Sequence, residues 1–368
     1  MARAPVDEPL PEPDRRDGAP HPREATALVG HDAAQRDILT ALASGKVHSG
    51  WLLSGPEGVG KATLAYRMAA TLLAHRPGDP APSALGLPLD HPDARLLRAG
   101  AHPRLFVLRR GPDDKGNLRS VITVEEARKL RGFFGLSAAD GGRRVVIVDA
   151  ADEMNPNAAN AILKLLEEPP AQATLLLIAH QPARLLPTIR SRCRTLRLSP
   201  LGAGDLGHAM DAIGLSTDSP EALAELAAGS VGNAVRLAHA GGLDLYAELV
   251  ALLNTLPRLD RPRAIRLAES AAGRAEGRFD LLLDLLDLLL TRLARTGLQG
   301  PPTEAAPGEA ALLQRLAPHD LAARAWADRQ ALASARARQG KAVNLDPAAL
   351  LIDMLLQIEQ TARTAAAA

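Results

Sequence analysis

Within the 368-residue sequence, the segment Gly55-Pro56-Glu57-Gly58-Val59-Gly60-Lys61-Ala62-Thr63 carries the clearest chemistry. Its spacing, G-x-x-x-x-G-K, is that of a phosphate-binding loop. Glycines let successive backbone N–H groups curl around phosphate oxygens. The start of a following helix adds a favourable dipole, and the lysine reaches the outer phosphates as a point charge. From the Gly and Lys frequencies of this chain, about 0.04 chance matches are expected. Gly55, Gly58, Gly60 and Lys61 are therefore the candidate nucleotide-binding residues. The next position departs from the motif. A Ser or Thr there would hold Mg²⁺ through its hydroxyl, and the residue is Ala62. Thr63 stands one residue further on, about 100° around the helix, and is an imperfect substitute.

A second acidic position follows the apolar run Val145–Val148, which ends in Asp149-Ala150-Ala151-Asp152. An aspartate at a strand end near the phosphates can hold Mg²⁺ through water; Asp149 equally suits a turn or helix cap. ATPases of this layout place a water-orienting Glu immediately afterwards, where this chain has Ala150. Glu153, further on, is not expected to take its place. Arg190 and Arg192 alternate around a helix-to-strand turn in Leu186-Pro187-Thr188-Ile189-Arg190-Ser191-Arg192-Cys193, and alone they read as surface charges. Cys193 is the single cysteine, so neither an internal disulfide nor a multi-cysteine zinc site can form. It reads as a packing residue. His180 ends an apolar run and reads as a hydrogen-bonded histidine ahead of a nucleotide sensor.

These residues need elements to hold them. Trp51-Leu52-Leu53-Ser54, Leu105–Leu108, Val145–Val148, Thr174–Ala179 and Arg194–Leu198 are short apolar or β-rich runs. They alternate with helical patterns over His31–Ser44, Lys61–His75, the Thr123/Glu126 capping box onward, and Asn157–Glu168 before Pro169-Pro170. That alternation predicts an α/β fold with a parallel sheet and helices on both faces. Residues 76–103 show little periodicity and read as an insert or long loop. After Pro200 strand signals stop: 201–241 predicts three short helices, and 243–365 is almost wholly helical. Leu281–Leu290 is too apolar for a surface helix and predicts a bundle core. Residues 1–24, rich in Pro and charge, predict a disordered lead-in. Net charge is only +1 and aromatics make up 2% of residues, which excludes a strongly basic nucleic-acid coat and a base-stacking platform. No apolar stretch approaches the roughly 20 residues of a membrane span, and the low cysteine content fits a cytoplasmic protein.

The chain resembles the clamp-loader AAA+ family. The resemblance starts at Val29-Gly30-His31 and runs through the phosphate loop. It continues in Val148-Asp149-Ala150-Ala151-Asp152-Glu153-Met154 and in Asn160-Ala161-Ile162-Leu163-Lys164-Leu165-Leu166-Glu167-Glu168-Pro169-Pro170, and closes on Ser191-Arg192-Cys193. It implies a RecA-like P-loop module over residues 25–200, a small helical lid over 201–242 and an all-α collar for oligomerisation over 243–368. It further implies a subunit of a heteromeric ring that loads the sliding clamp onto primer-template DNA for the replicative polymerase. Its partners would be ATPase motor subunits and a delta subunit, with no membrane. Arg192 would be an arginine finger acting in trans on a neighbour's ATP. Two departures stand out. Residues 75–103 lack the cysteines of a zinc module, so no zinc is expected. The arginine that active relatives carry after the lid's Gly-Ser-x is Gly232. With Ala62 and Ala150, this implies a subunit that can bind ATP at a degenerate site but is a largely non-hydrolysing stator. The alternative is a catalytically active, motor-type ATPase.

Overall fold

Side chains alternate across a β-strand, so a run apolar at every position must be buried on both faces. The three central strands of the sheet follow that rule. The computed structural model describes residues 12, 13, 15, 18–76, 78–113, 116–135, 142–271 and 277–365. Two compact units emerge. The first comprises residues up to 201 together with 211–214 and 230–232; the second comprises 202–210, 215–229 and the chain from Asn233 onward.

In the first unit, α1 (Asp32–Ala43) leads into β1 (Gly50–Ser54), the phosphate loop and α2 (Lys61–Ala74). Then come α3 (Pro92–Arg98), β2 (Leu105–Arg109), α4 (Val124–Gly135), β3 (Arg144–Asp149), α5 (Pro156–Glu167), β4 (Ala173–Ala179), α6 (Pro187–Arg190) and β5 (Arg194–Arg197). The five strands form one parallel sheet in the order β2-β3-β4-β1-β5. Trp51, Leu53, Val145, Ile147, Leu176 and Ile178 pack on one face with Ile38 of α1 and Leu64, Met68 and Leu72 of α2. Leu52, Val146, Val148, Leu175 and Leu177 pack on the other with Leu130 of α4 and Ile162 of α5. The α/β fold with helices on both faces is therefore as expected. Local signals set the boundaries. The α5 helix starts where the Asn155 side chain accepts from the Ala158 N–H (2.8 Å), with Pro156 in its first turn, and Pro169-Pro170 prevents its continuation.

Two expectations need correction. The 76–103 insert is not all loop: it contains α3, whose N-cap His91 accepts from the Asp93 N–H (3.1 Å). Seven residues are too few for a helical period to show in sequence. The lead-in expected to be disordered over 1–24 falls partly outside the described residues (1–11, 14, 16 and 17). Its described part is packed. Glu12 accepts from Arg23 (2.7 Å) and Arg109 (3.1 Å), and His21 is fully buried with its ring edge-on to Tyr66. Composition alone cannot register such long-range partners.

The second unit is all-helical: α7 (Ala203–Ala212), α8 (Pro220–Ala227), α9 (Val231–His239), α10 (Gly242–Leu253), α11 (Arg261–Ala271), α12 (Arg278–Gln299), α13 (Glu309–Leu316), α14 (Asp320–Ala342) and α15 (Pro347–Ala365). The last two residues of α7 and the first two of α9 belong to the first unit; α10 to α15 pack on one another, and Leu281, Leu282, Leu285, Leu286, Leu289 and Leu290 are buried. A charged network threads these helices. Glu309, fully buried, accepts from Arg292 Nε (2.6 Å), the Tyr246 hydroxyl (2.5 Å) and the Ala305 N–H (2.7 Å). Arg292 also reaches Glu225 of α8 (3.2 Å). Burial, with the Glu309 carboxylate alongside, keeps the Tyr246 hydroxyl protonated far above its usual range. Arg236 of α9 pairs with Asp284 of α12 (2.6 Å). Both links cross the division expected at 242/243, so α8 and α9 belong to the same unit as the helices after Gly242. Replacing one partner of a buried pair strands the other charge, so Glu309→Ala should lower unfolding free energy by about 3–5 kcal/mol. The exposed pair is worth under about 1 kcal/mol, which is the loss expected for Asp284→Ala. Urea denaturation of the two variants checks the contrast, and equal losses would contradict it.

Candidate nucleotide site and arginine turn

β1 delivers the phosphate loop at the C-terminal edge of the sheet. Gly55 follows Ser54 directly and leaves no room for a side chain: a Cβ there would lie 2.2 Å from the Leu198 carbonyl oxygen. Gly60 is the N-cap of α2, and the His31 ring is 2.8 Å from the Val59 carbonyl oxygen. Gly55, Gly58, Gly60 and Lys61 thus form one loop between strand and helix. Thr63 and Asp149 stand nearby in the same unit, half-buried.

Lys61 does not point out of this loop. Its Nζ donates to the carbonyl oxygens of Gly55 (2.8 Å) and Pro56 (2.5 Å), and the residue is 3% exposed. Burial pushes its ammonium down to about 8, against the opposing pull of Asp149 and Asp152. The loop's outer side is also occupied. Ser230 Oγ donates to the Glu57 carbonyl (2.9 Å), and the Gly232 N–H donates to the Gly58 carbonyl (3.0 Å). Gly58 has φ +74°, and a Cβ on it would lie 2.4 Å from Ser230 Oγ; one on Gly232 would lie 3.0 Å from Gly58 Cα. The missing side chain of Gly232 therefore lets two backbones touch.

The acids after β3 are committed elsewhere. Asp152 accepts from the backbone N–H groups of His180 (3.1 Å) and Gln181 (2.8 Å), tying the end of β3 to the end of β4. Glu153 pairs with Arg110 (2.9 Å), and burial holds its carboxyl above the usual range. It is not aimed at a water beside the loop. Beside the loop, Ala62 and Ala150 carry no group that could ligate a metal or take a proton, and the Lys61 ammonium is held by the Gly55 and Pro56 carbonyls.

Arg192 is at the other end of β1. It precedes β5, whose Arg194 is in register with Trp51, and a Cβ on Gly50 would lie 3.3 Å from the Arg192 carbonyl oxygen. The five residues of β1, at about 3.3 Å each, separate it from the loop by roughly 16 Å. Arg192 Nη1 donates to the Thr188 carbonyl (3.0 Å), and Nη2 pairs with Glu167 (2.9 Å). Arg190 is exposed. Arg194 pairs with Asp37 and lies over the Trp51 ring. The Cys193 thiol is pushed up to about 12 by burial and is inert as a nucleophile. Sequence reasoning missed the contacts of Ser230 and Gly232 with the loop and the pairing of Glu167 with Arg192. Neither contact has a local signal, although both segments carry recognisable motifs.

A phosphate loop between strand and helix, on a parallel sheet of this order and followed by helices, defines a P-loop module of the AAA+ class. Residues 30–202 match the family described as DNA polymerase III, delta subunit. It is similar to the DNA polymerase III subunit delta' of Pseudomonas aeruginosa, 43% identical over 203 residues, covering 54% of this chain and 58% of that one. With the subunit delta' of Escherichia coli it shares 32% over 163 residues, 44% and 46% of the two chains. The matches span about half the length of these curated relatives. Among solved structures, the RuvB Holliday junction branch migration motor of Thermotoga maritima aligns at a TM-score of 0.42 and 16% identity, over 76% of this chain and 80% of that one.

The Lys61 environment has a pH signature. A lysine held near 8 in the folded state and near 10.5 when unfolded leaves the unfolded chain with more bound protons between those values. Stability then rises with pH across that window. Wild type should therefore gain on Lys61→Met from about pH 8 toward pH 10.5, with no differential slope below. Parallel urea-midpoint curves across that range would contradict the buried ammonium.

Proposed function

We propose that this chain is a subunit of a DNA polymerase III clamp loader. It works in the cytoplasm with ATPase motor subunits, a delta subunit, the sliding clamp and primer-template DNA. Within the ring it is a stator. It does not hydrolyse ATP, and it presents Arg192 to the nucleotide of a neighbouring subunit. The observation that carries this reading is the placement of Arg192 and the phosphate loop at opposite ends of β1. An arginine there is out of reach of its own loop, so any phosphate it serves belongs to another chain. A guanidinium fork suits the charge that develops during phosphoryl transfer. The names of the relatives support the assembly. The closed geometry around Lys61, with Ala62, Ala150 and Gly232, supports the absence of turnover and argues against a motor-type ATPase. A nucleotide at this chain's own loop would have to displace Ser230 and turn Lys61 outward.

Two measurements test the reading. The purified chain alone should show no ATP turnover above background, whereas an assembled site of this chemistry turns over at about 1–100 s⁻¹; a few turnovers per second would overturn the stator assignment. In the reassembled loader, Arg192→Ala should leave assembly intact and abolish DNA-stimulated hydrolysis at one site. Trans-acting arginines contribute on the order of 10³-fold or more, but the other sites continue, so total turnover falls only in part. Arg192→Lys should not rescue it, because an ammonium lacks the fork, and Arg190→Ala should behave as wild type. Wild-type rates for Arg192→Ala would remove its role.

A further inference from the structure

Two motifs far apart in the sequence meet at the start of β1. The Leu-Glu-Glu-Pro-Pro end of α5 and the Ser-Arg-Cys turn both close on Gly50. A Cβ at Gly50 would lie 2.6 Å from Leu166 Cδ2, 3.2 Å from Cys193 Sγ and 3.3 Å from the Arg192 carbonyl oxygen. The backbone of the turn is thus pinned by close packing. The side chain is pinned separately, by Glu167 Oε1 at 2.9 Å from Nη2 and the Thr188 carbonyl oxygen at 3.0 Å from Nη1.

We propose that Glu167 is a positioning residue for Arg192. A guanidinium carries five N–H donors in a rigid plane. Glu167 and Thr188 take one on each terminal nitrogen, which fixes that plane and leaves three donors for an incoming phosphate oxygen. The pair is 38% and 42% exposed, so it contributes little to folding. Its effect is to order a flexible side chain before contact, which reduces what must be immobilised on binding. Glu168, the adjacent carboxylate, is exposed and takes no part. The inference rests on the reading of Arg192 as an arginine acting in trans.

The test uses the reassembled loader with primed DNA, the clamp and ATP. Glu167→Ala should assemble and melt as wild type and slow hydrolysis about two- to ten-fold at the one site that Arg192 faces, the order expected for one side chain no longer pre-ordered, so that total turnover falls by no more than in Arg192→Ala. The KM for ATP should not move. Glu167→Asp should recover part of the rate, and Glu168→Ala should be indistinguishable from wild type. Glu167→Ala combined with Arg192→Ala should be no slower than Arg192→Ala alone, because both act through one group. Wild-type or faster turnover by Glu167→Ala, or a double variant slower than Arg192→Ala by the full single-variant factor, overturns the positioning role while Arg192→Ala remains defective. A fully active Arg192→Ala overturns the trans-acting arginine itself and this inference with it.

Discussion

β1 is buried over all five of its residues and hydrogen-bonded on both edges, to β4 and β5. It cannot tilt or slip without exposing apolar side chains on two faces at once, since a one-residue shift exchanges the faces. The candidate chemistry hangs from its two ends. The phosphate loop leaves from Ser54; the arginine turn packs against Gly50. The strand thereby holds the phosphate loop and the arginine turn apart.

At the loop end, packing and charge have the same consequence. An ammonium taken out of water must find oxygen partners or shed its proton. Lys61 finds the Gly55 and Pro56 carbonyls and is still pushed down. Ser230 and Gly232 lie on the loop from outside, and their approach requires glycine at both 58 and 232. The absence of a side chain at Gly232 permits the backbone contact that covers the loop.

The helical unit is organised on another principle. Its leucines supply an unspecific driving force, while Arg292, Glu309, Glu225 and Tyr246 form a buried polar network in which each charge is partnered. Such a network tolerates few rearrangements, because shifting one helix strands a charge. It binds α8 to α12 and α13 and makes the helices on either side of Gly242 one body.

The sequence by itself determined the parallel α/β module, the loop at Gly55–Thr63, the buried leucine run of α12 and the missing hydroxyl at Ala62. Each is a local matter of residue spacing or type, and the apolar periods of β1, β3 and β4 leave little freedom. Only the tertiary structure decided the rest. That Lys61 turns inward, that Ser230 and Gly232 cover the loop, that Glu153 is spent on Arg110 and that Glu167 holds Arg192 all depend on contacts between distant segments. The short helix α3 and the packed stretch around His21 were hidden for the same reason. Such contacts arise from packing in three dimensions, and no residue spacing along the chain encodes which partner a side chain will meet.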